Sequence, residues 1–161
     1  MVEGMSRQAR WPAYTMAALL LGYAVGKAVY AVQGRLGFPG GPAVPAGDYA
    51  RYAAQSLDVA AMQWAAVVTG LIAALFMLAT VTGWGRRVPR PLMLALLGAA
   101  LLGVGAGALI VAADGFLGIG PGWQWYQGVF AIGVLALLVV TTRSYARATR
   151  PRLTDRSGAR G

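Results

Sequence analysis

Residues 92–113 read LMLALLGAALLGVGAGALIVAA and contain no charged side chain, which is the clearest sign of the fold of this chain. A helix needs about 20 apolar residues to cross the hydrocarbon core of a bilayer. Three further runs of similar length accompany this one, at about 12–32, 57–82 and 123–142. The sequence therefore predicts an all-α integral membrane protein, a four-helix bundle formed by a single domain over residues 1–150.

The composition also indicates a membrane protein. Of the 161 residues, 58% are hydrophobic and only 12% are charged, about half the charged fraction of a soluble domain. The chain has no histidine and no cysteine, which removes the usual general base, the commonest metal ligand and any thiol nucleophile. We therefore expect no metal and no cofactor. The net charge of +9 comes from basic residues that flank the apolar runs, so we predict contacts with membrane lipids and none with nucleic acid.

The basic residues fall mainly on one side of the predicted membrane. Two precede the first run, three lie in the turn 83–91 and six follow the last run, whereas the opposite loops hold only Arg35 and Arg51. Because cytoplasmic loops are enriched in Arg and Lys, we predict a multi-pass protein of the plasma membrane with both termini cytoplasmic. Residues 151–161 are interpreted as a disordered basic tail. The first run is interpreted as a retained helix instead of a cleaved signal peptide, because it is long and contains Lys27.

Residues 20–37 align without gaps on residues 101–118, with eight of eighteen positions identical. Coincidence in a chain rich in Ala, Gly and Leu is one explanation, and an internal duplication is the other. A duplication would make the bundle two parallel two-helix repeats. Both copies contain a Gly-x-x-x-Gly pattern, which favours close packing of helices within the chain or, alternatively, a homodimer contact. These glycines are Gly22 and Gly26 in the first copy and Gly103 and Gly107 in the second.

Lys27 is the only charged residue in the interior of an apolar run, and a charge at the centre of a membrane helix costs roughly 2.5–3.5 kcal/mol. One explanation is that its flexible side chain extends toward the membrane surface and meets a structural counter-ion. The other is that the ammonium group binds an anionic or carbonyl group. Tyr23 and Tyr30 share its helix face, and Tyr30 is included in the candidate site.

Two acidic residues stand at the ends of predicted helices on the side opposite the termini. Asp58 opens the second run, where a carboxylate complements the helix dipole and caps free N–H groups. Asp114 closes the third run, where a negative charge is unfavourable, so we expect it to pair with a cation. The candidates are Lys27, Arg35 and Arg51. The two acids are also compatible with acid–base chemistry.

Polar and aromatic side chains concentrate on this same side, whereas the other half of the runs is almost entirely Ala, Leu and Val. If the chain has a site, we expect an outward-opening pocket covered by the Gly- and Pro-rich segment 33–55, which cannot form one continuous helix. The candidate ligand-binding residues are Lys27, Tyr30, Asp58, Gln63, Asp114, Trp123, Trp125 and Tyr126.

Residues 27–34, KAVYAVQG, followed by Leu36 and Gly37, resemble a family of small actinobacterial four-helix membrane proteins known as a domain of unknown function. Members of that family carry a lysine in the first helix, then aromatic residues, then a Gly-Gly-type turn before a long outer loop. Here Tyr30 stands in place of Trp, and Gln33 stands in place of the first Gly. The resemblance implies the four-span fold and no particular activity.

Three classes of function fit these observations. The leading one is a non-enzymatic membrane module that binds a lipid-like ligand or partner helices through the outward-facing polar pocket. The first alternative is a membrane enzyme for an isoprenoid- or quinone-like substrate, with Asp58 or Asp114 as the acid and aromatic side chains stabilising a cation. The second is a small dimeric transporter, although no acid lies in the middle of a run to carry a coupled proton or cation.

Overall fold

Four long apolar helices form the bundle, which confirms the predicted fold class. The structure, a computed structural model, describes residues 9–55 and 58–150, and this part of the chain is helical and without strands. The predicted tail, 151–161, lies outside the described residues. The helices are α1 (Trp11–Val32), α2 (Ala46–Ala54), α3 (Val59–Ala79), α4 (Arg90–Leu117) and α5 (Trp125–Ala148), and all except α2 are long and apolar enough to span a membrane.

The largest differences from the predicted spans are at the carboxyl ends of α4 and α5, which continue past the predicted runs by four and six residues, to Leu117 and Ala148. Helix α4 runs to Leu117 and stops at Gly118, whose φ of +65° provides the left-handed turn that ends many helices. Helix α5 continues to Ala148, because basic residues such as Arg147 in its last turn complement the helix dipole.

Helix α2 was not predicted, although the segment around it is irregular as expected. Its sequence AGDYARYAA is strongly amphipathic, and Asp48 stands in the first turn, where an acid is favourable. Asp48 also pairs with Arg51 one turn later, at 2.9 Å. The neighbouring glycines and prolines give this segment the composition of a loop, so the composition does not indicate the short helix.

The membrane-length helices pack as two hairpins, α1 with α3 and α4 with α5, and the hairpins meet where α1 contacts α5. We call the end of the bundle where α1 begins and α5 ends the terminal end, and the opposite end the loop end. At the terminal end all four helices contribute to one buried apolar cluster. Its largest members are Met16, Met77, Met93, Leu97, Leu138 and Tyr145.

The close approaches within the hairpins use glycines other than the four that the sequence indicated. A Cβ atom on Gly70 of α3 would lie 3.2 Å from the Cβ of Ala24, and one on Gly128 of α5 would lie 3.3 Å from the Cα of Ala112. Small residues at these points let the helix backbones approach, as in other membrane bundles. The predicted internal packing through the Gly-x-x-x-Gly pairs is therefore wrong. No described neighbour lies within 4 Å on the Cβ side of Gly22, Gly103 or Gly107. The fourth glycine, Gly26, faces a loop.

Candidate functional site

Lys27 is half-buried and points from α1 to residues 33–45, which we call the first connector. Its Nζ donates a hydrogen bond of 2.7 Å to the carbonyl oxygen of Gly37. The ammonium group also lies 5.8 Å from the ring centroid of Tyr23 and 5.4 Å from that of Phe38, within the range of cation–π attraction. The positive charge is therefore held by a backbone carbonyl and two aromatic rings, and the predicted ion pair is wrong.

Two glutamine side chains hold the first connector from other helices. Gln63, which is 4% exposed in the first turns of α3, donates to the carbonyl oxygens of Arg35 at 3.1 Å and Gly37 at 3.2 Å. Gln127 of α5 donates to the carbonyl oxygen of Gly40. Carbonyl groups in an irregular segment need such partners when they are removed from water. Three of the membrane-length helices, α1, α3 and α5, thus supply donors that fix this connector.

Phe38, which the sequence analysis missed, joins the two hairpins at the loop end. Its ring centroid lies 5.3 Å from that of Tyr23 on α1 and 5.4 Å from that of Trp123 before α5, the latter nearly edge-on at 74°. The next residue, Pro39, lies against Gly26, where a Cβ atom would come within 2.5 Å of the proline ring. A large aromatic residue among glycines and prolines was the available signal, because such a side chain needs a surface to pack on.

Asp114 holds the second connector, residues 118–124, and is 2% exposed. Its carboxylate accepts backbone N–H groups of Gly120 at 2.6 Å, Gly122 at 2.8 Å and Trp123 at 2.7 Å. Charge-assisted bonds of this kind are among the strongest in proteins. The expectation that Asp114 pairs with a cation is wrong, because these three N–H dipoles compensate its unfavourable place at the end of α4.

The remaining acids near the loop end are also satisfied locally. Asp58 caps α3 by accepting the N–H of Ala60 at 2.9 Å, which confirms the predicted capping role. Among residues 9–55 and 58–150, the ion pair is the one between Arg51 and Asp48 within α2. Neither predicted acid therefore contacts Lys27.

The three predicted aromatic site residues have different surroundings. Trp123 contacts Phe38 and so belongs to the packing of the first connector. Trp125 and Tyr126 are 64% and 56% exposed and contact each other edge-on at 6.1 Å. Such outward-facing rings are typical of the membrane–water interface. The structure thus gathers Lys27, Gln63 and Trp123 around the first connector, with Trp125 and Tyr126 on the outer surface.

A cavity of about 450 Å³ lies at the loop end between the last turn of α1, the first connector and α2. The hydroxyl of Tyr49 on α2 accepts the N–H of Leu36 at 3.0 Å and so ties this helix to the connector. Lys27 supports the cavity indirectly through Gly37, which is part of the wall. Aliphatic side chains form much of the lining, and its polar residues are Tyr30, Gln33, Arg35 and Tyr49.

These features define an all-α, multi-pass membrane protein with a small polar cavity at one end of the bundle. Comparisons with protein-family models, with curated proteins and with solved structures give no match to this chain.

Proposed function

We propose that this protein is a non-enzymatic membrane module that binds a lipid-like ligand, through an anionic or carbonyl group, in the loop-end cavity. The supporting observation is the composition of the described lining, where Arg35 is the charged side chain, hydroxyl and amide groups stand near it, and the remaining wall is aliphatic. Polar and apolar groups share this lining about equally, and an amphiphilic molecule can contact both. The cavity also lies where α1 leaves the apolar region, the level at which a lipid headgroup meets hydrocarbon.

The shape of the cavity is held by contacts outside its polar lining. Lys27 and Gln63 both donate to the carbonyl of Gly37, and Tyr49 bonds the backbone of Leu36. A wall that is fixed before binding reduces the ordering cost of binding. In this proposal Lys27 is a positioning residue, and Arg35 is the group that contacts the ligand.

The lipids that copurify with the full chain test this proposal. We expect mass spectrometry to find an anionic or carbonyl-rich amphiphile with the wild type. The amount of this amphiphile should fall by about tenfold in Arg35→Gln, since a charge-assisted hydrogen bond contributes roughly 1.5–3 kcal/mol. Arg51→Gln is the matched control, because it removes the same charge from an exposed position at the same end. An identical set of lipids in both variants would contradict the proposal.

The enzyme alternative receives less support from the geometry. Asp58 is engaged in capping α3, and both carboxylate oxygens of Asp114 accept backbone N–H groups. A carboxylate that holds a loop in place is poorly suited to exchange protons with a substrate. The transporter alternative is also weaker, because the apolar cluster at the terminal end closes the described bundle between the four helices.

The orientation proposed here places the terminal end in the cytoplasm and the cavity outside the plasma membrane. The distribution of basic residues supports it, since the segments between α1 and α3 and between α4 and α5 carry only Arg35 and Arg51. The chain lacks cysteine, and a Cβ atom on Gly47 or on Gly83 would meet no described atom within 4 Å. We expect an impermeant maleimide to label Gly47→Cys on intact cells and Gly83→Cys only after permeabilisation. The reverse pattern would overturn the orientation.

We also propose that the chain belongs to the small actinobacterial four-helix family and that it forms a homodimer. Residues 27–37 support the membership of this family. A homodimer through α4 is supported by Gly103 and Gly107, whose Cβ positions face open space in the monomer, whereas Gly26 is already covered by Pro39.

A further inference from the structure

A lateral groove of about 240 Å³ separates α3 from α4 near the terminal end. The two helices are consecutive spans, yet each packs mainly against a different neighbour, α3 on α1 and α4 on α5. Both walls and the floor of the groove are apolar. The lining comes from α3, from α4 and from the turn between them, and includes Ile72, Leu75, Phe76, Trp84, Val88 and Leu96.

The turn between α3 and α4 keeps this groove open. It contains a 3₁₀ turn over Trp84–Arg87, and the N–H of Val88 bonds the carbonyl oxygen of Gly85 at 3.1 Å. Gly85 packs directly on the carbonyl group of Ala79, leaving no room for a side chain. Because the turn is fixed by these backbone contacts and the helices are held by their partners, the gap is a built feature of the bundle.

Two arginines, Arg87 and Arg90, lie close in sequence to lining residues at the terminal end of the groove. Arg87 is exposed within the turn. Arg90 begins α4 one turn before Met93 of the groove wall, and its Nε donates to the hydroxyl of Thr149 at 3.1 Å, which restrains the guanidinium group beside the end of α5. The acidic residues in the described part of the chain all belong to the loop end: Asp48, Asp58 and Asp114.

We propose that the groove binds one anionic phospholipid from the leaflet at the terminal end, with an acyl chain between α3 and α4 and the phosphate at Arg87 and Arg90. From Ile72 to Ala79 the groove follows α3 for about 10 Å, which fits within the roughly 15 Å of hydrocarbon in one leaflet. The guanidinium groups offer paired donors that match phosphate oxygens. Trp84, 60% exposed, stands where an indole ring fits at headgroup level.

Quenching by brominated lipids tests this site in the full chain reconstituted into phospholipid bilayers. The groove signal is the part of the tryptophan quenching that disappears in Trp84→Phe. We expect this part to reach half its maximum at a several-fold lower mole fraction of acyl-brominated phosphatidylglycerol than of acyl-brominated phosphatidylcholine, because only the former carries a net charge for the arginines. Native mass spectrometry should show one phosphatidylglycerol retained per chain.

Matched variants separate this site from general attraction of a basic protein to an anionic membrane. Arg87→Gln/Arg90→Gln should abolish the preference, whereas Arg147→Gln/Arg150→Gln, which removes two charges from the same end, should retain it. If loss of the Arg90–Thr149 contact unfolds the double variant, Arg87→Gln alone should lower the preference. Leu75→Phe, which enlarges a 55% exposed side chain of the groove wall, should reduce lipid retention with both arginines in place.

Three results would overturn the proposal. Equal quenching by the two brominated lipids would show that the groove does not prefer an anionic lipid. An equal loss of the preference in the two arginine double variants would show that it comes from general attraction of the basic surface to the membrane. A cross-linked dimer in which Trp84 is shielded from both lipids would show that a second copy of the chain fills the groove. The loop-end cavity is untouched by these variants, so its own test is independent of this one.

Discussion

The membrane-length helices hold the two connectors at the loop end through opposite kinds of backbone group. The first connector presents carbonyl oxygens, which accept hydrogen bonds from Lys27, Gln63 and Gln127. The second connector presents the N–H groups of Gly120, Gly122 and Trp123, which donate to the carboxylate of Asp114. Since an irregular segment leaves both kinds of backbone group free, either kind can be satisfied by side chains from the helices.

The two arrangements also differ in how far along the chain they reach. Asp114 lies six to nine residues from its donors, so the second connector is fixed within its own hairpin. Gln63 is 26 residues from Gly37, and Gln127 is 87 residues from Gly40. The side-chain hydrogen bonds of the first connector therefore join both hairpins, whereas those of the second connector stay within the turn from α4 into α5.

The largest effect is expected from Asp114→Asn. The amide replaces one acceptor oxygen with a donor that faces backbone N–H groups, so at least one buried donor loses its partner. We expect the Tm of the full chain in detergent to fall by roughly 10 °C. Asp58→Asn is the control and should leave the Tm unchanged, because Asn caps helices as well as Asp does. Equal Tm values for the wild type and Asp114→Asn would show that the second connector does not depend on its carboxylate.

A smaller effect is expected from Gly26→Ala, which tests the contact between α1 and the first connector. The new Cβ atom would approach the ring of Pro39 to 2.5 Å, so the connector has to shift, at about 1–3 kcal/mol. A glycine of the other hairpin provides the control, since Gly133 of α5 has open space on its Cβ side. Gly133→Ala should stabilise slightly, by up to about 1 kcal/mol, because Ala favours a helix over Gly. Unfolding in a denaturing detergent measures the change in the free energy of unfolding for both variants. An equal loss of stability in the two variants would show that the contact with Pro39 does not distinguish the two hairpins.

The four spans and the Asp58 cap could be predicted because they depend on local composition. The partner of Asp114 was missed because a search for cations overlooks backbone N–H groups. A local signal was nevertheless present, since the glycine-rich sequence after Asp114 permits the left-handed φ of +101° at Gly122. Turns of this kind point successive N–H groups toward one anion.

The partners of the first connector could not be predicted in the same way. The bond from Gln127 to Gly40 exists only because α5 packs beside α1, and nothing in the sequence around either residue indicates that neighbour. The cavity depends on the same packing, since its wall follows the path of the connector. A single sequence can therefore place Arg35 and Tyr30 near the end of α1 without showing that they line one space.

The next smaller effect is expected from Gln63→Leu. This change removes both hydrogen bonds of the buried amide, but Gly37 keeps Lys27 as a partner and only the carbonyl of Arg35 is left without a donor. We expect a loss of about 1 kcal/mol in the free energy of unfolding, the usual net contribution of a neutral hydrogen bond. Thr69→Val is the control, because its exposed hydroxyl bonds only within α3. A loss as large as that from Asp114→Asn would contradict the shared support of Gly37.

The smallest single effect is expected from Lys27→Met, even though Lys27 is the most unusual residue in the sequence. The change removes a charge-assisted hydrogen bond and two cation–π contacts, and it also relieves the cost of keeping a charge near hydrocarbon. These terms oppose each other, so stability should change by no more than about 1 kcal/mol. In a Gln63→Leu background the same change leaves the carbonyl of Gly37 without either donor, and the combined loss should exceed the sum of the single losses by at least about 0.5 kcal/mol. Strict additivity in this double-mutant cycle would mean that the two side chains do not share that carbonyl. Lys27 and Gln63 would then fix the first connector by independent contacts.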